Sequence, residues 1–353
     1  MRPLFLPTSD LNWTSLTLSQ DIHILEPYLD KVSWIFLFGR EDSVYLIKDY
    51  PDQVRWCFVS SNPNAVPVFE KYLDHLIWEE VNLNPKAMPF LEKHMDKIQW
   101  DRLCRNPSAV PFLETHVENI HWYWLSSNPK AIHLLEANVD KISWSQLSRN
   151  PHPRAIELLE QHIQSRRQTG FLDEVEWCWV SANPCALPLL KQYPHEIKWK
   201  FASSNPGVFP LLEQYVDHIE WDGVCYNVYP EAIPLLEKYL DRLDDRCWSL
   251  LSSLPTALPL LEKYPEKIVW SQLSRNPAAI HLLTKHPEKI DRWQLSANSN
   301  ATHLLFQLDY VRMKETQPIR EELVTRVFDP DRLLRMSARV GMDMRTYLQG
   351  YVS

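Results

Sequence analysis

Glycine is scarce, with six residues in 353. No Gly-rich phosphate loop occurs, and neither H-E-x-x-H nor G-x-S-x-G is present, so the usual sequence signs of nucleotide, zinc-protease or serine-hydrolase chemistry are missing. Basic excess is missing too: 37 Lys and Arg stand against 45 Asp and Glu, a formal net charge of −8. A nucleic-acid binder would ordinarily carry a basic face, so nucleic acid is not the expected partner. No run approaches eighteen apolar residues, and no membrane span is expected. The N-terminal M-R-P-L-F-L-P-T-S-D is too short in its apolar part for a signal peptide. The six cysteines show no paired metal spacing and read as reduced thiols filling small-residue positions, with no metal or other cofactor implied.

Tryptophan and proline, by contrast, are abundant, at 15 and 27 residues. Thirteen of the Trp residues recur in one context: Trp13, Trp34, Trp56, Trp78, Trp100, Trp122, Trp144, Trp177, Trp199, Trp221, Trp248, Trp270 and Trp293. Eight of their twelve intervals are 22 residues, and such a period marks a repeat array. Residues 118–140 show the unit plainly. An acid four residues before Trp reads as the cap of a short first helix. Leu three residues after Trp lies on the same helical face. Asn-Pro then starts a second helix, as N-cap and first helical residue. Ala-Ile-x-Leu-Leu supplies its buried stripe. Many units have a second Pro four residues after the first, for example Pro67, Pro89 and Pro111. Inside a regular helix it would clash with the carbonyl four back, so the Asn-Pro segment is predicted to be a 3₁₀-like lead-in.

Helices this short are marginal alone, and stacking must hide their apolar faces. The predicted fold is all-α: a right-handed α-solenoid of about thirteen 22-residue two-helix repeats with a helical C-terminal cap. At 8–10 Å per layer it should extend roughly 100–130 Å, elongated and curved. The marker Trp is expected in the core, so Trp100→Ala should cost about 3–5 kcal/mol and Trp124→Ala clearly less. Residues 1–33 read as an N-terminal cap, 34–305 as the repeats and 306–353 as the C-terminal cap. Eleven extra residues between Trp144 and Trp177 read as a polar loop near 161–176 carrying Arg166 and Arg167. Residues 226–246 read as a local bend.

The unit D-K-I-x-W-x-x-L-S-x-N-P-x-A-I-x-L-L-E resembles the tandem Asn-Pro/Trp repeats of large protein families in giant DNA viruses of protists. The tail, from Glu322 through Phe328-Asp329-Pro330-Asp331-Arg332-Leu333 to Met342-Asp343 and Tyr347-Leu348, is similar to the "F-H-P-x-R-L … M-D … Y-L" ending of that family, with Asp329 where His is usual. The resemblance implies a viral protein acting in the host cytoplasm or virus factory, or packaged in the virion. It carries over no catalytic residues. Bacterial leucine-rich-variant repeats are a weaker likeness, in architecture only.

Candidate chemistry is sparse. His133, His281 and His303 recur in one context, but in units too far apart to share a metal. A ladder of Glu follows the second helix, including Glu70, Glu92, Glu114, Glu136 and Glu262; it reads as a solvated ridge and a possible face for a protein partner. Arg105, Arg149 and Arg275 precede the Asn of Asn-Pro, but the same position elsewhere is Ser, Leu or Ala, too irregular for a phosphate track. The expected function is a non-enzymatic scaffold binding another protein, with Arg166, Arg167, Glu92, Glu114 and Glu136 as candidate contacts. A structural or assembly role in the virion is the alternative.

Overall fold

The computed structural model describes residues 10–170, 174–226 and 229–305. It divides into residues 10–301 and a second unit of residues 1–9 with 302–353. Of the second, Thr302–Leu305 is described and is a single helical turn. The expected C-terminal cap at 306–353 lies outside the described residues.

Residues 10–301 form an all-α repeat solenoid, with no strand among the described residues. A middle unit shows why. A short helix, Trp100–Leu103, ends before Asn106. Asn106 has the extended backbone of an N-cap, and its side chain accepts from the Ser108 N–H. Pro107–Ala109 is a 3₁₀ turn, and the α-helix restarts at Val110–Glu114 with Pro111 in its first turn. There Pro has no carbonyl four residues back to strike. In the unit with Pro67, the second helix is 3₁₀ throughout, Pro63–Lys71. The acid before Trp does not cap the first helix. Asp96 lies in a separate 3₁₀ turn, Met95–Lys97, and the helix begins at Trp100 after Gln99.

The core is aliphatic. The residue three after each marker is at most 3% exposed, from Leu16 through Leu103 and Leu125 to Leu295. The Ala after Asn-Pro is equally enclosed, as at Ala65, Ala87, Ala109 and Ala131. The marker Trp is not core in most units: Trp100 is half-buried, with Trp177 and Trp248 the buried exceptions. In most units its ring instead leans on an aromatic or His ring about sixteen residues later. Trp56 meets Tyr72 at 5.1 Å, Trp100 meets His116 at 5.7 Å and Trp199 meets Tyr215 at 5.3 Å. In the last unit the marker position belongs to Arg292, 22 residues after Trp270. Its helix is Arg292–Leu295, Leu295 is the buried Leu, and Trp293 lies one place on and is 52% exposed.

Two polar links join successive layers. In one, a small residue four after the marker accepts the N–H of the residue just before the next marker. Ser60 Oγ takes Ile77 N–H at 2.9 Å, Ser126 Oγ takes Ser143 N–H at 3.0 Å and Ser274 Oγ takes Asp291 N–H at 3.0 Å. In the other, the Asn-Pro Asn sends its amide back to two carbonyls of the preceding layer. Asn106 Nδ2 donates to Asn82 O at 3.0 Å and to Asn84 O at 3.1 Å. These Asn side chains are buried, so each cap is also a staple.

The same links close the array on itself. Ser296 Oγ accepts the Asn12 N–H at 3.0 Å. Ser19 Oγ donates to Ser296 O at 2.7 Å, and Gln20 Nε2 donates to Asn298 O at 2.9 Å. Asp10 pairs with Arg292 at 3.1 Å. Ser19 and Gln20 together thus make the two bonds that a single Asn makes elsewhere. The first unit is therefore not a cap with one open side. Its neighbour is the thirteenth unit, and the layers run round a circuit, not along a rod. One expected result separates the two arrangements. Ser296→Ala should cost about as much as Ser126→Ala, roughly 1 kcal/mol each, read as shifts in denaturant midpoint. In an open array Ser296 would face no following layer and its loss would be nearly silent.

The extra residues after Trp144 lengthen a helix as far as Thr169, where a polar loop near 161–176 was expected; residues 171–173 lie outside the described residues. The second helix of that unit runs Pro153–Thr169 and stops at Gly170, whose φ of 76° suits a left-handed cap. Residues 226–246 hold the other irregularity: the helix Asp245–Ser253 starts three residues before its marker Trp248 and is capped by Asp244.

Candidate functional site

Successive first helices pack directly on one another, as Trp56–Ser61 does on Trp78–Leu83. The concave side of the circuit is the first-helix side. A concavity of about 680 Å³ lies there, spanning four successive units between Tyr226 and Ala297, with Leu250, Gln272 and Arg275 in its wall.

The residues facing inward fall one, two and five places after the marker. Leu18, Ile35, Phe36, Tyr123, Trp179, Tyr226 and Trp293, which hold such positions, all remain exposed although they are large and apolar. They are seven of the fourteen large apolar residues left exposed among the described residues, and apolar side chains shared along one concave face suit a binding surface. Trp124 and Trp179 stand outside the marker series and share one offset from it, Trp179 exposed and Trp124 half-buried.

Arginines accompany these rings. Arg105 lies over Trp124, 5.0 Å from the ring centroid, and Arg149 lies over Trp179 at 3.8 Å. In both pairs a guanidinium five places after one marker covers the ring two places after the next. Between them, Gln146 Nε2 donates to Tyr123 Oη at 2.8 Å, fixing the phenol. Four consecutive units thus present Arg105, Trp124, Arg149 and Trp179 in turn. A guanidinium stacked on an indole keeps its N–H edge free for a carboxylate or carbonyl. Among the described residues, Arg105, Arg149 and Arg275 enter no ion pair, whereas Arg40, Arg102, Arg154, Arg242 and Arg246 all do.

The residues singled out from the sequence as possible contacts lie elsewhere, on or just after second helices. Glu114 meets His133 of the next unit at 2.6 Å, and Glu136 pairs with Arg154. Glu262 meets His281 at 2.8 Å in the same way. His133 and His281 are therefore partners of the preceding layer's Glu; at His303 the matching position is Thr284. Arg166 pairs with Glu174 at 2.9 Å, and Arg167 with Glu196 at 2.8 Å while lying over Tyr193. Glu92 enters no ion pair among the described residues. Among the described residues no ion pair joins any two of these five. The inward face was missed because its residues vary from unit to unit. The available signal was the shared offset of Trp124 and Trp179 from their markers, combined with Arg at the offset of Arg105 and Arg149.

No helix among the described residues is long and apolar enough to cross a membrane. No family model, no curated protein and no solved structure matches the chain.

Proposed function

We propose that the ring acts by binding, as a scaffold that holds an extended segment of another protein against its inner face. The observation that carries this is the run Arg105–Trp124–Arg149–Trp179, cations without carboxylate partners stacked on two indoles, Trp124 half-buried and Trp179 exposed. The second-helix ridge is a weaker candidate, because most of its charges are already engaged within the chain. An extended segment fits the spacing. Arg105 and Arg149 are two layers apart, about 16–20 Å at 8–10 Å per layer. A strand covers that in five or six residues at about 3.3 Å each. The segment that suits this face has two acids at that separation with apolar or aromatic side chains between them. A long nucleic acid suits it less, since the chain carries a net charge of −8. In the setting that the sequence resemblance implies, the partner is a host protein and the ring a viral adaptor.

The test is a selection of random twelve-residue peptides on the immobilised full chain, followed by anisotropy titration of those enriched. Enriched peptides should be acidic and aromatic. The double variant Arg105→Gln/Arg149→Gln should weaken them by at least about tenfold, the equivalent of one charge-assisted contact. Arg154→Gln, on a second helix, should leave them unchanged. Failure to enrich any peptide, enrichment of basic ones, or tighter binding of a labelled oligo-dT would each overturn the proposal.

A further inference from the structure

The joint between the units of Trp221 and Trp248 departs from the pattern at both of its links. At the Asn position stands Leu254, which has no amide to donate to the preceding layer. The N–H just before the marker, that of Cys247, goes to Asp244 Oδ1 at 2.9 Å and not to the previous layer. Cys225 occupies the accepting position that Ser holds elsewhere. This joint alone combines a missing staple and a diverted N–H among the described residues.

The same joint brings together two copies of one short pattern, Asp222-Gly-Val-Cys225 and Asp244-Asp-Arg-Cys247, 22 residues apart. Because the helix Asp245–Ser253 starts early, the second copy lies opposite the first. One ligand atom each from Asp222, Asp244 and Cys247 lie within 4.8 Å of one another. The Cys247 thiol donates to Asp222 Oδ1 at 3.7 Å. Cys225, the cysteine of the first copy, is a second buried thiol at this joint but lies outside that cluster of three. Both thiols are buried, at 0% and 1% exposure, while Asp244 is open to solvent and gives an entry path. Arg246 offsets part of the charge, pairing with Asp222 at 2.9 Å.

We infer that Asp222, Asp244 and Cys247 form a site for a divalent ion of the zinc class, clipping two layers where the hydrogen-bonded links are missing. One sulfur and two carboxylate oxygens are donors that suit zinc. Three protein ligands leave the fourth position of the tetrahedron to water. A proton leaves the Cys247 thiol as the ion enters, so binding strengthens as pH rises.

The chain carries its own control. Asp101-Arg-Leu-Cys104 has the same local pattern, with Cys104 fully buried, but no second copy faces it. The experiment is a Co²⁺ titration of the full chain, stripped with chelator and kept reduced with a phosphine. One ion per chain and a thiolate-to-cobalt charge-transfer band, displaced by Zn²⁺, are expected. Cys247→Ser should abolish the band. Asp244→Asn should weaken binding by more than about tenfold while retaining a good N-cap, so its loss cannot be assigned to misfolding. Cys104→Ser should behave as the parent. Absence of a thiolate band, a band unchanged in Cys247→Ser, or a Cys225–Cys247 disulfide forming in air from a reduced chain that takes up no metal would each overturn the site.

Discussion

Asn106→Asp should destabilise the ring by about 3–5 kcal/mol near neutral pH, the range for an uncompensated buried charge. The exchange barely alters size, so the loss would come from polarity alone. The Asn106 amide is 1% exposed and donates to Asn82 O and Asn84 O, at 3.0 and 3.1 Å. A carboxylate there would place an anionic oxygen against two carbonyl oxygens, out of reach of water. The cap bond from Ser108 N–H, at 3.0 Å, would survive, since the other oxygen still accepts. Protonation would restore a donor, so the folded-state pKa of the new Asp should lie above its unfolded value of about 3.9. A raised folded pKa means relative stability that is present at low pH and lost as pH rises through it. The variant should therefore approach the parent in denaturant midpoint near pH 4 and fall away toward pH 7. A deficit that does not depend on pH would count against the amide's role as donor between layers.

Leu103→Ala should cost more than Trp100→Ala. Leu103 is fully enclosed, and truncating such a residue costs about 2–5 kcal/mol. Trp100 is larger but half-buried, and its ring already borders solvent while leaning on Phe112 and His116, at 5.9 and 5.7 Å. Part of its surface is never withdrawn from water, so its loss should fall near 1–3 kcal/mol, below the full range for core aromatics. Melting curves of the two variants, compared with Trp124→Ala on the inner face, test the assignment. A Trp100→Ala loss exceeding that of Leu103→Ala would return the marker Trp to the core.

The period, the units and the Asn-Pro cap were legible because they rest on local chemistry repeated many times. A cap needs Asn and Pro in sequence, and an interior needs Leu at the right offset. Three features were not legible, each for its own physical reason. The burial of Trp depends on which side of a layer its ring meets, and only the aromatic or His sixteen residues later hinted that it had a partner within the unit. Closure depends on summed curvature, which no single repeat expresses; Gln20 in place of Asn is too small a sign to read alone. The register of the last unit was obscured by Trp293, one place beyond the true marker position at Arg292. The inner-face arginines were visible as residues, but their meaning came only from the rings that the next layer places beneath them.

Closure also changes what evolution and engineering can do with the array. An open solenoid can gain or lose a repeat at either end, since curvature per layer is unconstrained by the total. Here thirteen layers share one full turn, about 28° each, and Ser296, Ser19 and Gln20 meet their partners only if that sum is met. Adding one unit would ask every joint to give up about 2°, or else leave a seam in which the Asn12 N–H and the Asn298 carbonyl lose their partners. Repeat number in this protein is thus a quantised property of the whole circuit, and unit duplication, the usual way repeat proteins diversify, is the change it should tolerate least.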